Sequence, residues 1–109
     1  MNKVIAMGRL TRNPKISWNE ENLCIARYTL AVDRKYRKDG EQGADFISCV
    51  TFGKGAEFAD KYFEKGTKIL IEGRVQTGSY IRDDGIKIYT TEIVVEQQEF
   101  AQRAMEGQR

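Results

Sequence analysis

The chain is 109 residues long, carries a formal net charge of +2, and is 40% hydrophobic. This length and apolar content suffice for one domain with one modest core. The charge is uneven, because residues 1 to 91 hold 16 basic and 12 acidic side chains while residues 92 to 109 hold 2 and 4. A body of +4 is compatible with a polyanionic partner but does not establish one.

Several kinds of catalytic site are absent from the sequence. The chain has no histidine, the commonest general base and metal ligand. Cys24 and Cys49 cannot form a four-ligand zinc site on their own. The run Gly53-Lys54-Gly55 lacks the spacing of a phosphate-binding loop, and Asp83-Asp84-Gly85 is typical of a turn. We therefore expect no enzyme activity, no metal and no cofactor.

The cysteines and the hydropathy indicate a compartment. Both cysteines lie in alternating apolar runs, where a free thiol behaves as a small hydrophobe. No run approaches the roughly eighteen apolar residues of a membrane span, and no charged-then-apolar leader precedes the first apolar run. These features predict a protein of the reducing cytoplasm that is neither exported nor bound to a membrane.

The first half of the chain predicts three strands. Residues 2 to 10 read as a strand that ends in a turn at Pro14. Strict alternation from Leu23 to Asp33 predicts the clearest strand. Residues 34 to 43 hold four cations before Asp39-Gly40 and predict a long hairpin loop with a solvated tip. The next strand begins at Ala44.

That third strand has apolar side chains on both of its faces. Phe46, Val50 and Phe52 alternate with Ile47 and Cys49, so the sequence alone does not decide which set faces the core.

The second half predicts one helix and a hairpin. Apolar spacing of three and four residues between Gly55 and Gly66 indicates a short helix with Gly66 as its C-terminal cap. Alternation returns from Lys68 to Thr77, and residues 80 to 96 predict a hairpin that pivots on Asp84-Gly85. Residues 97 to 109 allow either a short amphipathic helix or a frayed end.

The order of elements predicts the fold class. An all-β chain with one short helix between its third and fourth strands matches the OB-fold, a five-stranded Greek-key barrel, here with extended hairpins. We assign residues 1 to 96 to this OB-fold domain and residues 97 to 109 to a short C-terminal extension, flexible or helical. Barrels of this type bind oligonucleotides on one face.

A series of short segments also resembles one protein family. In chain order they are Asn2-Lys3-Val4-Ile5, Gly8-Arg9-Leu10-Thr11, Thr29-Leu30-Ala31-Val32, Asp45-Phe46, Val50-Thr51-Phe52-Gly53-Lys54, Ala56-Glu57, Tyr62-Phe63, Lys65-Gly66, Ile71-Glu72-Gly73-Arg74 and Tyr89-Thr90-Thr91-Glu92-Ile93-Val94-Val95. At this spacing, over about residues 2 to 96, they resemble the bacterial and phage single-stranded DNA-binding protein family. Proteins of that family coat unpaired DNA during replication, recombination and repair with little sequence preference.

The resemblance implies which side chains stack on bases. The matching aromatic positions are Tyr36, Phe46, Phe52 and Tyr80. Trp18 is a fifth candidate that suits a barrel cap equally well. Relatives commonly have tryptophan where this chain has Tyr36, Phe46 and Tyr80, so we expect weaker stacking at each base.

Each stacking candidate has a structural alternative. Phe46 and Phe52 suit core packing, and Tyr80 suits a cross-strand pair with Tyr89 or Ile88. Tyr36 lies between two cations and is the hardest of them to place in a core.

Six cations are candidates for phosphate contacts, with a solvated surface as the alternative: Lys3, Arg9, Arg34, Lys35, Lys54 and Arg74. Phosphate contacts would make affinity fall with salt. Relatives often carry a basic residue near Gly78-Ser79, so we expect that hairpin to hold a DNA backbone less firmly.

The resemblance also implies partners beyond single-stranded DNA. Family members commonly form homotetramers, for which Val4 to Leu10 would supply the pairing strand. Many carry an acidic C-terminal tip that recruits repair enzymes. This chain ends at Arg109, so we do not expect recruitment through a tail, whether the chain is naturally short or cut. The expected location is the cytoplasm with its nucleoid, or the host cytoplasm if a phage encodes the protein.

Two other functions keep the fold and change the partner. One is an OB-fold protein-interaction module, such as a primosomal accessory protein. The other is an RNA-binding OB domain associated with an enzyme, which would prefer RNA through 2′-hydroxyl contacts.

Overall fold

The computed structural model describes residues 1 to 36 and 43 to 102. The predicted hairpin tip at residues 37 to 42 and the chain end at residues 103 to 109 lie outside this range. The described elements are β1 (Val4–Leu10), β2 (Lys15–Trp18), β3 (Cys24–Asp33), β4 (Ala44–Phe52), α1 (Lys54–Tyr62), β5 (Lys68–Ile81) and β6 (Lys87–Gln102).

Five of the strands close into a barrel. The sheet runs in the order β1-β5-β6-β4-β3-β2, and β1 also pairs with β3. The ring is therefore β1, β5, β6, β4 and β3, with β2 added at the outer edge of β3. This confirms the predicted OB-fold. The sequence missed β2, because four residues are too few for a clear alternation.

The core lies inside the ring and is closed at one end by α1. Alternate residues of β3, among them Cys24, Ala26, Tyr28 and Leu30, are buried there. The helix contributes Ala56 and Ala59, and Phe63 follows it into the core with its ring edge-on to Tyr28 at 6.0 Å. The remaining inward residues include Ile69 and Ile71 of β5 and Ile93 and Val95 of β6.

The structure decides the orientation of β4. Cys49 and Thr51 point into the core and are buried, whereas Phe46 and Phe52 point to the opposite side of the strand and are exposed. Cys49 and Cys24 both belong to the core, and both thiols are free. Burial, with a smaller effect from the charge of Glu92, raises the pKa of Cys49 to about 12, so this thiol stays protonated at neutral pH.

The predicted cap of α1 is wrong. The helix ends at Tyr62 and is capped by Phe63, which has φ −95° and ψ 141° and whose N–H donates to the Ala59 carbonyl. The chain leaves the helix early because the Phe63 ring is buried in the core. Gly66 lies in the following turn, where its φ of 89° suits glycine and its N–H donates to the Leu10 carbonyl.

The helical alternative for residues 97 to 102 is also wrong, because β6 continues through them. Phe100 is the Cα partner of Ile69 in β5 and packs against the core. Its ring lies 5.5 Å from that of Phe63 and 6.0 Å from that of Phe58. The extended conformation of β6 allows Phe100 to make these ring contacts. They explain why β6 stays paired with β5 beyond Glu96.

Candidate nucleic-acid interface

The side of the sheet that faces away from the core is called the outer face here. In β3 and β4, Ala31 lies opposite Phe46 and Ile25 lies opposite Phe52. Residues opposite each other in paired strands point to the same side of the sheet. Phe46 and Phe52 therefore share the outer face, six residues and about 20 Å apart along β4.

The outer face continues across β6 into β5. Val50 of β4 is the Cα partner of Val94, which in turn is the partner of Arg74. Because side chains alternate along a strand, Tyr80 lies on the same side of β5 as Arg74. Phe46, Phe52 and Tyr80 are 53%, 41% and 54% exposed. The register thus brings three of the predicted rings onto one surface.

Tyr80 also makes the cross-strand pair that the sequence offered as its alternative. Its partner in the β5–β6 hairpin is Ile88, while Tyr89 is opposite Ser79 and faces the other side. The ammonium of Lys87 lies 5.3 Å from the centroid of the Tyr89 ring. Since the Tyr80 ring remains half exposed within its pair, the pairing leaves one aromatic surface open.

Tyr36 lies just beyond β3 and is the most exposed of the predicted rings, at 81%. The Lys35 ammonium is 5.7 Å from its centroid. A ring beside a cation offers a base a stacking surface and a nearby phosphate a charge.

Trp18 is separated from this set. It lies opposite Cys24 in the β2–β3 pair, so it points to the core side of the sheet rather than the outer face. Its ring is exposed nevertheless, because β2 lies outside the closed ring of strands.

Three of the predicted phosphate ligands are already paired with carboxylates. The closest contacts are Lys3 Nζ to Glu72 at 2.7 Å, Arg34 to Asp45 at 2.8 Å, and Arg74 to Glu96 at 3.7 Å. The hydrogen bond to Glu72 raises the pKa of Lys3, and the bond to Asp45 raises the pKa of Arg34. Exposed ion pairs of this kind are weak, so a phosphate can compete with these carboxylates.

Arg9 and Lys54 have different surroundings. Arg9 donates from Nη1 to the Gly66 carbonyl at 2.9 Å on the β1 side of the barrel. Lys54 is the first residue of α1, two positions after Phe52, where Gly53 turns the chain with a φ of 64°. The described residues contain no group of three His, Cys, Asp or Glu side chains that would hold a metal.

Comparison with known proteins decides the family. Residues 1 to 101 match the model of the single-strand binding protein family. The chain belongs to this family. The match confirms the predicted resemblance and reaches beyond residue 96 to the part of β6 that contains Phe100.

Three relatives show how similar this chain is to other proteins of the family. Single-stranded DNA-binding protein 3 of Clostridium acetobutylicum is 46% identical over 101 residues, which cover 92% of this chain and 70% of the relative. The single-stranded DNA-binding protein of Clostridium perfringens is 43% identical over 110 residues, covering 100% and 71%. Single-stranded DNA-binding protein 3 of Listeria innocua is 41% identical over 108 residues, covering 98% and 68%.

The structure of this family member adds three cations that sequence reasoning missed. Arg12, Lys15 and Arg27 line a cleft of about 310 Å³ on the barrel, together with Thr29, Ser48 and Glu92 among others. They come from two separate segments, and no motif joins them. Only the pairing of Lys15 with Arg27 between β2 and β3 brings them together.

No helix in the described ranges is long and apolar enough to cross a membrane.

Proposed function

We propose that this protein binds single-stranded DNA on its outer face with little sequence preference. The observation that carries the proposal is the set of exposed rings of Phe46, Phe52 and Tyr80 on one side of a continuous sheet. Every base has a π face, so stacking holds any sequence. In proteins of this class each stacked base contributes about 1–3 kcal/mol.

Tyr36 extends this surface beyond β3, and cations complete it. The proposed phosphate ligands are Lys3, Arg9, Arg34, Lys35, Lys54 and Arg74. Lys3, Arg34 and Arg74 would exchange the carboxylates of Glu72, Asp45 and Glu96 for phosphates when DNA binds. The cations and the released carboxylates would stay at the protein surface. Trp18 has less support than the other rings, because it points to the other side of the sheet.

The proposed role is coating and protection of unpaired strands during replication, recombination or repair, without catalysis. The proposed location is the cytoplasm with its nucleoid, or the host cytoplasm for a phage protein. The relatives that carry the name single-stranded DNA-binding protein support this role.

We also propose a homotetramer that forms through the first strand. β1 pairs with β5 from Val4 to Arg9 but with β3 only at Arg9 and Leu10. Among the described strands, the second edge of residues 4 to 8 therefore has no partner. Ile5 and Met7 are 64% and 49% exposed there, which suits burial against a second copy.

The test of the proposed function is fluorescence anisotropy with labelled oligo-dT, a duplex and an RNA of equal length. We expect tight binding to oligo-dT, weak binding to the duplex, and affinity that falls with salt. Tighter binding to RNA would favour the RNA-binding alternative. Feeble and equal binding to all three would overturn the proposal in favour of a protein-interaction module.

A further inference from the structure

A row of partner residues crosses the outer face from β2 to β5. Lys15 of β2 lies opposite Arg27 of β3, and Arg27 lies opposite Val50 of β4. Val50 lies opposite Val94 of β6, which lies opposite Arg74 of β5. We call these five residues the basic row. It has two cations at one end, one cation at the other, and two buried valines between them.

The Lys15 end of the basic row opens into the cleft that Arg12 also lines. The only carboxylate among its lining residues is Glu92, and its contact with Arg27 Nε is long at 3.4 Å. Within residues 1 to 36 and 43 to 102, the side chain of neither Arg12 nor Lys15 makes a hydrogen bond or an ion pair. With three cations and one carboxylate, the lining of the cleft has a net positive charge, which favours binding of an anion.

The cleft lies between the two phenylalanine rings of β4. Along the β3–β4 pair, successive outer-face rows are Ala31 with Phe46, Thr29 with Ser48, Arg27 with Val50, and Ile25 with Phe52. Thr29, Ser48 and Arg27 line the cleft. A DNA strand that runs directly between bases stacked on the two rings passes its intervening phosphates over these two rows.

We propose that Arg12, Lys15 and Arg27 bind backbone phosphates of the DNA segment that joins the bases stacked on Phe46 and Phe52. This inference rests on the proposed function and assigns three contacts to it. Arginine offers a phosphate a planar fork of donors, and lysine offers a compact charge. The hydroxyls of Thr29 and Ser48 add neutral donors to the same cleft.

The experiment measures oligo-dT affinity at several salt concentrations for Arg12→Gln and Lys15→Gln. Both side chains are exposed, so their loss should leave the fold intact. Arg27 is kept, because its removal would leave Glu92 unpaired. The matched control is Lys61→Gln, which removes one exposed cation from the last turn of α1. Thermal unfolding of each variant checks the fold.

We expect each cleft variant to weaken binding and to reduce the slope of log K against log salt by about 0.7, the value for one phosphate contact on a single strand. Lys61→Gln should match the unsubstituted protein in both its affinity for oligo-dT and its salt slope. If the unsubstituted protein binds oligo-dT and the cleft variants behave like Lys61→Gln, the cleft is not on the path of the DNA. If the unsubstituted protein fails to bind, the proposed function falls and this inference falls with it.

Discussion

One partly buried hydrogen-bond chain joins three elements of the barrel. The Tyr28 hydroxyl donates to Gln98 Oε1 at 2.7 Å, and Gln98 Nε2 donates to the Gly55 carbonyl at 2.7 Å. Tyr28 lies in β3, Gln98 in β6 and Gly55 in α1. Burial, with a smaller effect from Cys49, raises the pKa of Tyr28, so the phenol stays protonated and can donate.

Tyr28→Phe should destabilise the protein by about 1–3 kcal/mol, because Gln98 Oε1 loses its donor in a partly buried site. Urea unfolding followed by circular dichroism measures the change. Tyr89→Phe is the matched control, since its ring is 76% exposed and it should change stability little. Equal effects of the two substitutions would contradict a structural role for the Tyr28 hydroxyl.

At this scale the sequence predicted which aromatics to examine but not which way they point. Both parities of β4 are apolar, so periodicity could not separate Phe46 and Phe52 from Ile47 and Cys49. The register with β3 decides the question. Arg12 and Lys15 were missed for a related reason, because their proximity to Arg27 depends on β2 pairing with β3.

Among the elements, β5 depends most on a glycine. An irregularity in the β5–β6 register falls between Glu72 and Gly73. A Cβ at Gly73 would collide with the backbone carbonyl oxygen of Val94, which cannot rotate away. The close approach of the two strands therefore requires a residue without a side chain.

We predict that Gly73→Ala lowers the free energy of unfolding by about 1–3 kcal/mol, as overpacking in a tight site does. Gly78→Ala in the same strand is the control. Its Cβ would meet the Thr90 hydroxyl at 3.1 Å, and that side chain can move. Both are compared by thermal and urea unfolding. A Gly73→Ala variant as stable as Gly78→Ala would show that the strands can separate there without cost.

Element boundaries were predictable where alternation is long and unpredictable where tertiary contacts decide. The strand predicted for Leu23 to Asp33 is found as Cys24–Asp33. The end of α1 depends on burial of Phe63, and the length of β6 depends on Phe100 packing against Phe58 and Phe63. Neither contact can be read from local spacing. The sequence predicts Gly66 as the helix cap, whereas the cap is Phe63 and the positive φ of Gly66 belongs to the turn that follows.

At the scale of the whole molecule, residues 4 to 8 of β1 present a strand edge that has no partner among the described strands. The proposed tetramer would cover that edge and bury the Ile5 and Met7 side chains. Four copies would also place several aromatic surfaces on one particle, which raises the effective concentration of sites along a long strand.

Ile5→Glu should dissociate the assembly, because it places a charge in the proposed apolar contact. Sedimentation velocity measures the oligomeric state. Ile81→Glu is the matched control, since Ile81 is 63% exposed against 64% for Ile5 and lies at the far end of β5. An unsubstituted protein that sediments as a monomer would contradict the tetramer.

In the proposed function, exposed rings on the outer face hold the DNA, and a pair of phenylalanines provides the sharpest test. Phe52 of β4 and Phe58 of α1 are 41% and 38% exposed, but only Phe52 lies on the outer face. We would measure the affinity of Phe52→Leu and Phe58→Leu for labelled oligo-dT by anisotropy, after confirming by thermal unfolding that both are folded. We predict that Phe52→Leu weakens binding by roughly fivefold or more, through loss of a stacked base, while Phe58→Leu does not. Unchanged affinity of Phe52→Leu, or an equal loss in both variants, would contradict base stacking on the outer face.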